Sequence, residues 1–112
     1  MAILATKHSE GMRINYTPAA DVDVGAVVVQ EDLIGIATAD ITADEVGVLD
    51  IEGVFDVAKD TGSGTAIDAG TIVYWDETNE VVTTESSGNI YMGKTIEDAE
   101  DDDETARVKL TP

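Results

Sequence analysis

The residues Gly88-Asn89-Ile90-Tyr91-Met92-Gly93-Lys94-Thr95 match G-x-x-x-x-G-K-[ST] letter for letter, the spacing with which a phosphate loop holds a nucleotide. A working loop of this kind leads from a buried strand into a helix whose N-terminus faces the phosphates, within a parallel sheet that also supplies an acidic magnesium ligand. The residues that follow here, Ile96-Glu97-Asp98-Ala99-Glu100-Asp101-Asp102-Asp103-Glu104, instead form a block of carboxylates that would repel a triphosphate. Ile90, Tyr91 and Met92 are bulky and strand-like, so Gly88 reads as a turn residue and Gly93 as a strand glycine. Nucleotide is not expected as a partner.

The acidic run 97–104 has the oxygen chemistry that hard divalent cations favour, but not the spacing of an EF-hand. Asp21-x-Asp23-x-Gly25 is only a fragment of that pattern, and a solvated charged loop is the simpler reading of the run. Catalysis has little to build on. His8 is the single histidine and lies near the N-terminus, apart from any serine or aspartate constellation. Paired carboxylates are the raw material of glycosidic acid–base chemistry, yet Phe55, Trp75 and three tyrosines are all the aromatics available to line a cleft. Trp75 therefore reads first as a core or interface anchor, together with Phe55 and Tyr74, and second as a platform for stacking a sugar. No catalytic residue, cofactor or metal ligand is assigned.

The elements that carry these residues read as strands. Val, Ile and Thr supply 36 residues against 4 Leu, a bias toward side chains that fit a pleated, half-buried surface. Asp68 to Gly93 predicts three strands in an antiparallel meander, interrupted by the polar turns 76–79 and 86–89. Val24 to Val29 and Leu33 to Ala37 predict a hairpin, Glu45 to Ile51 and Gly53 to Val57 further strands, and Thr105 to Leu110 a strand with Arg107 and Lys109 on its wet face. Short helical turns are allowed only at Thr17–Val22 and Glu97–Glu104.

With 112 residues the chain suits one domain with a modest core. Its formal net charge of −18, from 24 acidic and 6 basic residues, argues against direct nucleic-acid binding and against anionic membranes. A halophilic source would screen such self-repulsion, since the Debye length falls to about 3 Å at 1 M salt; a merely solubilising acidic surface accounts for the composition equally well. No apolar run approaches the roughly 20 residues that span a bilayer, and the start resembles no export signal, so a soluble protein is expected. With no Cys there is neither disulfide nor thiol nucleophile.

Charge divides the chain. Met1 to Tyr16 carries +1 through Lys7 and Arg13 against Glu10, which leaves −19 for the remainder. Thr17-Pro18 closes this segment with an extended dipeptide. A flexible N-terminal arm, residues 1–16, followed by a body, residues 17–112, is the expected organisation, with a frayed terminus as the plainer account. Within the body an internal echo pairs Gly25–Val29 with Gly70–Tyr74, Gly35–Asp40 with Gly93–Asp98, and Asp44–Ile51 with Asp103–Leu110. Two similar β units, or chance likeness among Val-rich segments, would produce it.

Gly53-Val54-Phe55, Ala69-Gly70-Thr71-Ile72-Val73-Tyr74-Trp75-Asp76, Val82-Thr83-Thr84, Gly93 and Ala106-Arg107-Val108-Lys109-Leu110 resemble a family of tailed-phage capsid cement proteins, also called head decoration proteins. The likeness runs from about Gly25 to the C-terminus, and its motifs are structural. The resemblance implies an all-β fold, a small antiparallel β-barrel or sandwich, and no enzyme activity. It further implies a homotrimer on the exterior of an icosahedral virion, made in the host cytoplasm, that reinforces the lattice of major capsid protein. Lys94 and Thr95 depart from the apolar or small residues expected after the glycine, as does the acidity. Lys7, Arg13 and Tyr16 are the candidate capsid contacts. The alternative is a virion- or envelope-surface module that binds a glycan or host receptor.

Overall fold

The computed structural model describes residues 4–112. Its described residues are all β and turn, in nine strands: β1 (Arg13–Tyr16), β2 (Val27–Gln30), β3 (Leu33–Ala37), β4 (Gly47–Asp50), β5 (Gly53–Ala58), β6 (Ile72–Asp76), β7 (Val81–Thr83), β8 (Ile90–Thr95) and β9 (Thr105–Leu110). No helix among them is long and apolar enough to cross a membrane. The segments Thr17–Val22 and Glu97–Glu104, where a helical turn was allowed, are bends, turns and isolated bridges. Each ties its backbone across to a neighbouring segment and so has no free run in which to coil.

Two antiparallel sheets form a sandwich-like body. The first has the order β1-β4-β3-β2 and the second β5-β9-β8-β6-β7. The hairpin expected around residues 30–32 is present, with Glu31 at φ 56° closing the turn between Gln30 and Leu33, the positive φ that such a connection demands. Its first strand starts later than Val24, because Gly25 turns the chain at φ 87°. The segment from Asp68 to Gly93 does hold three strands, but not as a meander: β8 pairs with the opposite edge of β6 from β7. β7 has only three residues, and its outer side meets Lys59 in a parallel bridge, whereas β8 needs partners along six residues and finds them in β6 and β9. That bridge brings the edges of the second sheet together at one point, so the sheet curls without closing.

The echo in the sequence is an echo in the fold. The order β1-β4-β3-β2 is reproduced by β5-β9-β8-β6, each a Greek key, with β7 as an insertion. Key hydrogen bonds outside the strands also match. Val22 and Ile41 exchange two backbone bonds of 2.8 Å, as do Ile67 and Ala99. Gly25 N–H donates to Ala37 O at 2.7 Å, and Gly70 N–H to Thr95 O at 2.7 Å. The Asp40 carboxylate accepts from Val24 N–H at 2.9 Å, and the Asp98 carboxylate from Ala69 N–H at 2.8 Å. Gly25 and Gly70 both hold positive φ, 87° and 83°, which side-chain-bearing residues adopt only with strain.

The units pack unequally. Val57, Val73, Trp75, Val108 and Leu110 on the inner side of the second sheet form the main core, and Ile34 and Ile36 of β3, with Val27 and Val29 of β2, pack into it. Enclosing each such side chain is worth about 1.5–3 kcal/mol, which makes this the principal source of stability. The opposite side of the first sheet carries a smaller cluster of Ala37, Ile41 and Leu49, flanked by half-covered Ile14, Tyr16, Val22 and Val28.

Candidate interaction surface

Gly88 to Thr95 has none of the geometry of a phosphate loop. Gly88 sits in a turn at φ 76°, and Ile90–Thr95 is strand β8, paired on both edges. Gly93 lies so close to β9 that an added Cβ would collide with the carbonyl oxygen of Lys109. The Thr95 hydroxyl is buried, donating to Asp68 O at 2.7 Å and accepting from Thr71 N–H at 3.1 Å. A short bend and the acidic loop follow where a nucleotide-binding helix would begin.

The acidic loop is organised from within. Lys59, only 5 % exposed, directs its ammonium at the carbonyls of Asp60 (2.7 Å), Asp103 (3.1 Å) and Asp101 (3.4 Å) and at the Thr65 hydroxyl (3.2 Å). An ammonium among carbonyl oxygens holds the loop as a bound cation would, and Asp103 and Asp101 further fix it by accepting from the N–H groups of Glu100 and Ala66. Among the described residues no group of His, Cys, Asp or Glu is arranged to hold a metal ion.

The expected contact residues are spread over the body. Lys7 pairs with Glu10 at 2.9 Å on the fully exposed stretch 4–13, and Arg13 pairs with Asp50 at 3.0 Å. Arg13 and Tyr16 are not loose: they belong to β1, which is zipped to β4 from Arg13↔Asp50 to Tyr16↔Gly47. Tyr16 lies half-buried against the smaller core. Met1 to Ile3 of the expected arm fall outside the described residues. Phe55 packs at the margin of the main core, and Trp75 is 7 % exposed within it, as a core anchor with little of its ring at the surface. Between the sheets an open groove of about 570 Å³ is lined by Val27, Ile36, Phe55 and Trp75 and rimmed by Glu77 and Glu80.

Tyr74 points to the outer side of the second sheet, edge-to-face with Tyr91 at 6.1 Å between centroids, and the Tyr91 and Thr111 hydroxyls lie 2.6 Å apart. This outer side is the surface that sequence reading missed. Val54 stands opposite Lys109, Lys109 opposite Lys94, and Lys94 opposite Ile72, a single row across four strands. Val54, Ile72, Tyr91 and Ile96 are all exposed around it. Arg107 on the same side is bonded to Asp56 (2.9 Å) and Glu97 (3.1 Å); its guanidinium draws the Asp56 carboxyl below its usual range and is itself raised. Lys94 and Lys109 make no ion pair among the described residues, although the chain carries 24 carboxylates. The alternation in β9 signalled the wet face, but only the register shows that Lys94 lies beside Lys109.

No curated protein and no solved structure matches the chain. A family model described as phage cement protein matches it over residues 7–110, nearly its whole length and both β units. The chain therefore belongs to the phage cement protein family, whose role is structural: association with the virion capsid and its stabilisation.

Proposed function

We propose that this protein binds the outer surface of an icosahedral capsid as a homotrimer and reinforces the lattice of major capsid protein. The N-terminal arm, residues 1–16, reaches neighbouring capsid subunits from its anchor in β1, with Lys7, Arg13 and Tyr16 as contacts, while residues 17–112 form the remainder of the decoration body. The family match over 7–110 carries this reading. Two features agree with it: residues 4–13 are exposed throughout, and the cations Lys7 and Arg13 lie at that end of an otherwise acidic chain. A cement protein needs no chemistry. Several weak contacts made by one oligomer add through effective concentration, and binding that favours the assembled lattice stabilises it by mass action.

The test is to mix the protein with undecorated capsids from the same source and count bound copies by sedimentation, at high and low salt. Saturation at a fixed ratio to capsid subunits, with decorated shells surviving heating that opens bare ones, is expected. Absence of binding at either salt concentration overturns the reading. Deleting residues 1–12 should abolish binding while β1 and the body remain; unchanged binding would remove the arm from the mechanism.

A further inference from the structure

We propose that copies of this protein associate head to tail. The row Val54–Lys109–Lys94–Ile72 of one copy seats against the first β unit of the next, on the side where Ile14, Tyr16 and Val28 are half covered. The inference deepens the oligomeric part of the preceding reading by assigning its interface.

Two independent observations carry it. The first is electrostatic. Two lysines directly opposite one another across strands repel, and the cost is normally relieved by a neighbouring carboxylate. In a chain of net charge −18 this pair is left without one and is flanked by exposed Val54 and Ile72. An acidic partner with apolar contacts satisfies both features. The chain's own first unit, residues 13–51, is such a partner in net charge, with eight carboxylates against Arg13 alone; Asp50 is paired with Arg13 on the side of Ile36, and the other seven lie in the turns and loops around the sheet.

The second observation is the internal repeat. The position of this row in the first unit is occupied by Arg13, Asp50, Ile36 and Val27. There its Ile36–Val27 end is already an interface, packed into the main core on the inner side of the second unit. Within one chain, therefore, the Ile36–Val27 end of the row of unit one meets the inner side of unit two. The same contact remains unmade at both ends of the molecule: the row of unit two is exposed, and the inner side of unit one, with Ile14, Tyr16 and Val28 at the places of Phe55, Val57 and Val73, is only half covered. Joining these ends repeats the intrachain arrangement between chains. A contact between two different patches is heterologous, and it yields a ring where the rotation closes.

The experiment measures molar mass by light scattering with size-exclusion chromatography, in low salt and in molar salt. Wild type should be oligomeric. Lys94→Glu/Lys109→Glu alters only exposed side chains and should give folded monomers, with Trp75 emission unchanged. Val28→Lys, or Ile14→Lys should the former lose that emission signal, disables the opposite patch and should also give monomers. Mixing the two kinds of monomer leaves one intact contact per pair and should produce a 1:1 dimer that grows no further. A monomeric wild type, a lysine variant of wild-type mass, or a mixture that stays monomeric would each overturn the proposal. Capsid sedimentation of the same variants separates this outcome from the capsid reading, because a monomer that still binds capsids, with lowered avidity, breaks the trimer and not the cement role.

Discussion

Residues 13–51 and 53–110 share one strand order and one set of bridging hydrogen bonds, yet they enclose their inner sides to different depths. In the second unit Val73 and Val108 are fully buried beneath Trp75, Val82 and the incoming Ile34 and Ile36. In the first, the corresponding Val28 is half covered, and the enclosed cluster is only Ala37, Ile41 and Leu49, with Ile51 buried separately. The β7 hairpin accounts for much of the difference: it supplies Val82 and curls the second sheet toward Lys59. The shared frame rests on features of the backbone, two turn glycines, two close-approach glycines and two bonding aspartates. Side chains on that frame vary freely between the units, so fold and core depth are specified separately.

The largest expected effect tests that frame at its two close-approach glycines, Gly35 and Gly93. A methyl on Gly93 meets the backbone of β9, which cannot move without breaking the β8–β9 ladder, and Gly93→Ala should cost more than about 3 kcal/mol or prevent folding. A methyl on Gly35 meets the Leu49 side chain at 2.8–2.9 Å, and a side chain yields more readily. Gly35→Ala should cost about 1–3 kcal/mol. Urea unfolding followed by Trp75 emission measures both, and equal costs would show that the backbone contact at Gly93 is no stricter a constraint than the side-chain contact at Gly35.

The next effect separates the units just beyond the ends of β1 and β5. Pro18 and Lys59 are both buried there, but Pro18 closes its loop only through its carbonyl, which accepts from Asp44 N–H at 2.8 Å, whereas Lys59 holds its loop with a buried ammonium. Lys59→Met keeps the stem and strips the carbonyls of their donor, at about 2–3 kcal/mol. Hydrogen exchange should rise at Asp101 to Glu104 and stay level at Ala43 to Val46. A rise in both loops would mean that they are coupled through the body rather than closed separately.

A third test exchanges side chains between the units. Ile41 faces Gly47 in the first, where a methyl on Gly47 would lie 2.5–2.7 Å from Ile41, while Ala99 and Ala106 hold the same places in the second. Gly47→Ala alone overpacks the site, and Ile41→Ala relieves the clash. The double variant should therefore be more stable than the two single costs predict, by about 1 kcal/mol or more. Strict additivity would show that the pair does not touch across the frame as the repeat implies.

Much of this frame was legible in the sequence. The Val-, Ile- and Thr-rich segments, the turn at Glu31, and the aligned Gly25/Gly70, Gly35/Gly93 and Asp40/Asp98 are local signals, and each fell where the structure uses it. What was not legible depends on pairing across distance. The position of β8 beside β6 follows from which edges remain free, and the Lys94–Lys109 row follows from register, neither of which a window of residues contains. Lys59 gave no local sign of its role, since the loop it holds is reached through carbonyls more than 40 positions away, at Asp101 and Asp103.

The smallest effect concerns acid, and it too distinguishes the units. Asp56 and Asp76, whose carboxyls lie below their ordinary value of 3.8, both belong to the second unit. Asp76 is lowered first by the Asn79 N–H, then by the Asn79 side chain, with Thr78 N–H also bonded, which together fix the β6–β7 turn. A carboxyl with a depressed folded pKa contributes stability above its unfolded pKa and loses it as pH falls through the folded value. The loss from these groups should thus begin below about pH 4 and grow as pH drops further. Protonating the many other carboxylates relieves self-repulsion over the same range, so the wild-type curve alone mixes two opposing trends. Asp76→Asn isolates one of them: the amide keeps an acceptor for the turn but does not titrate, so its stability should fall less steeply than that of wild type between pH 4 and pH 3. Trp75 sits one residue from the turn and reports on the second unit, whereas hydrogen exchange at Leu49 reports on the first. Parallel acid slopes for the two proteins would mean that the turn is held by the chain around it and not by the ionised carboxylate.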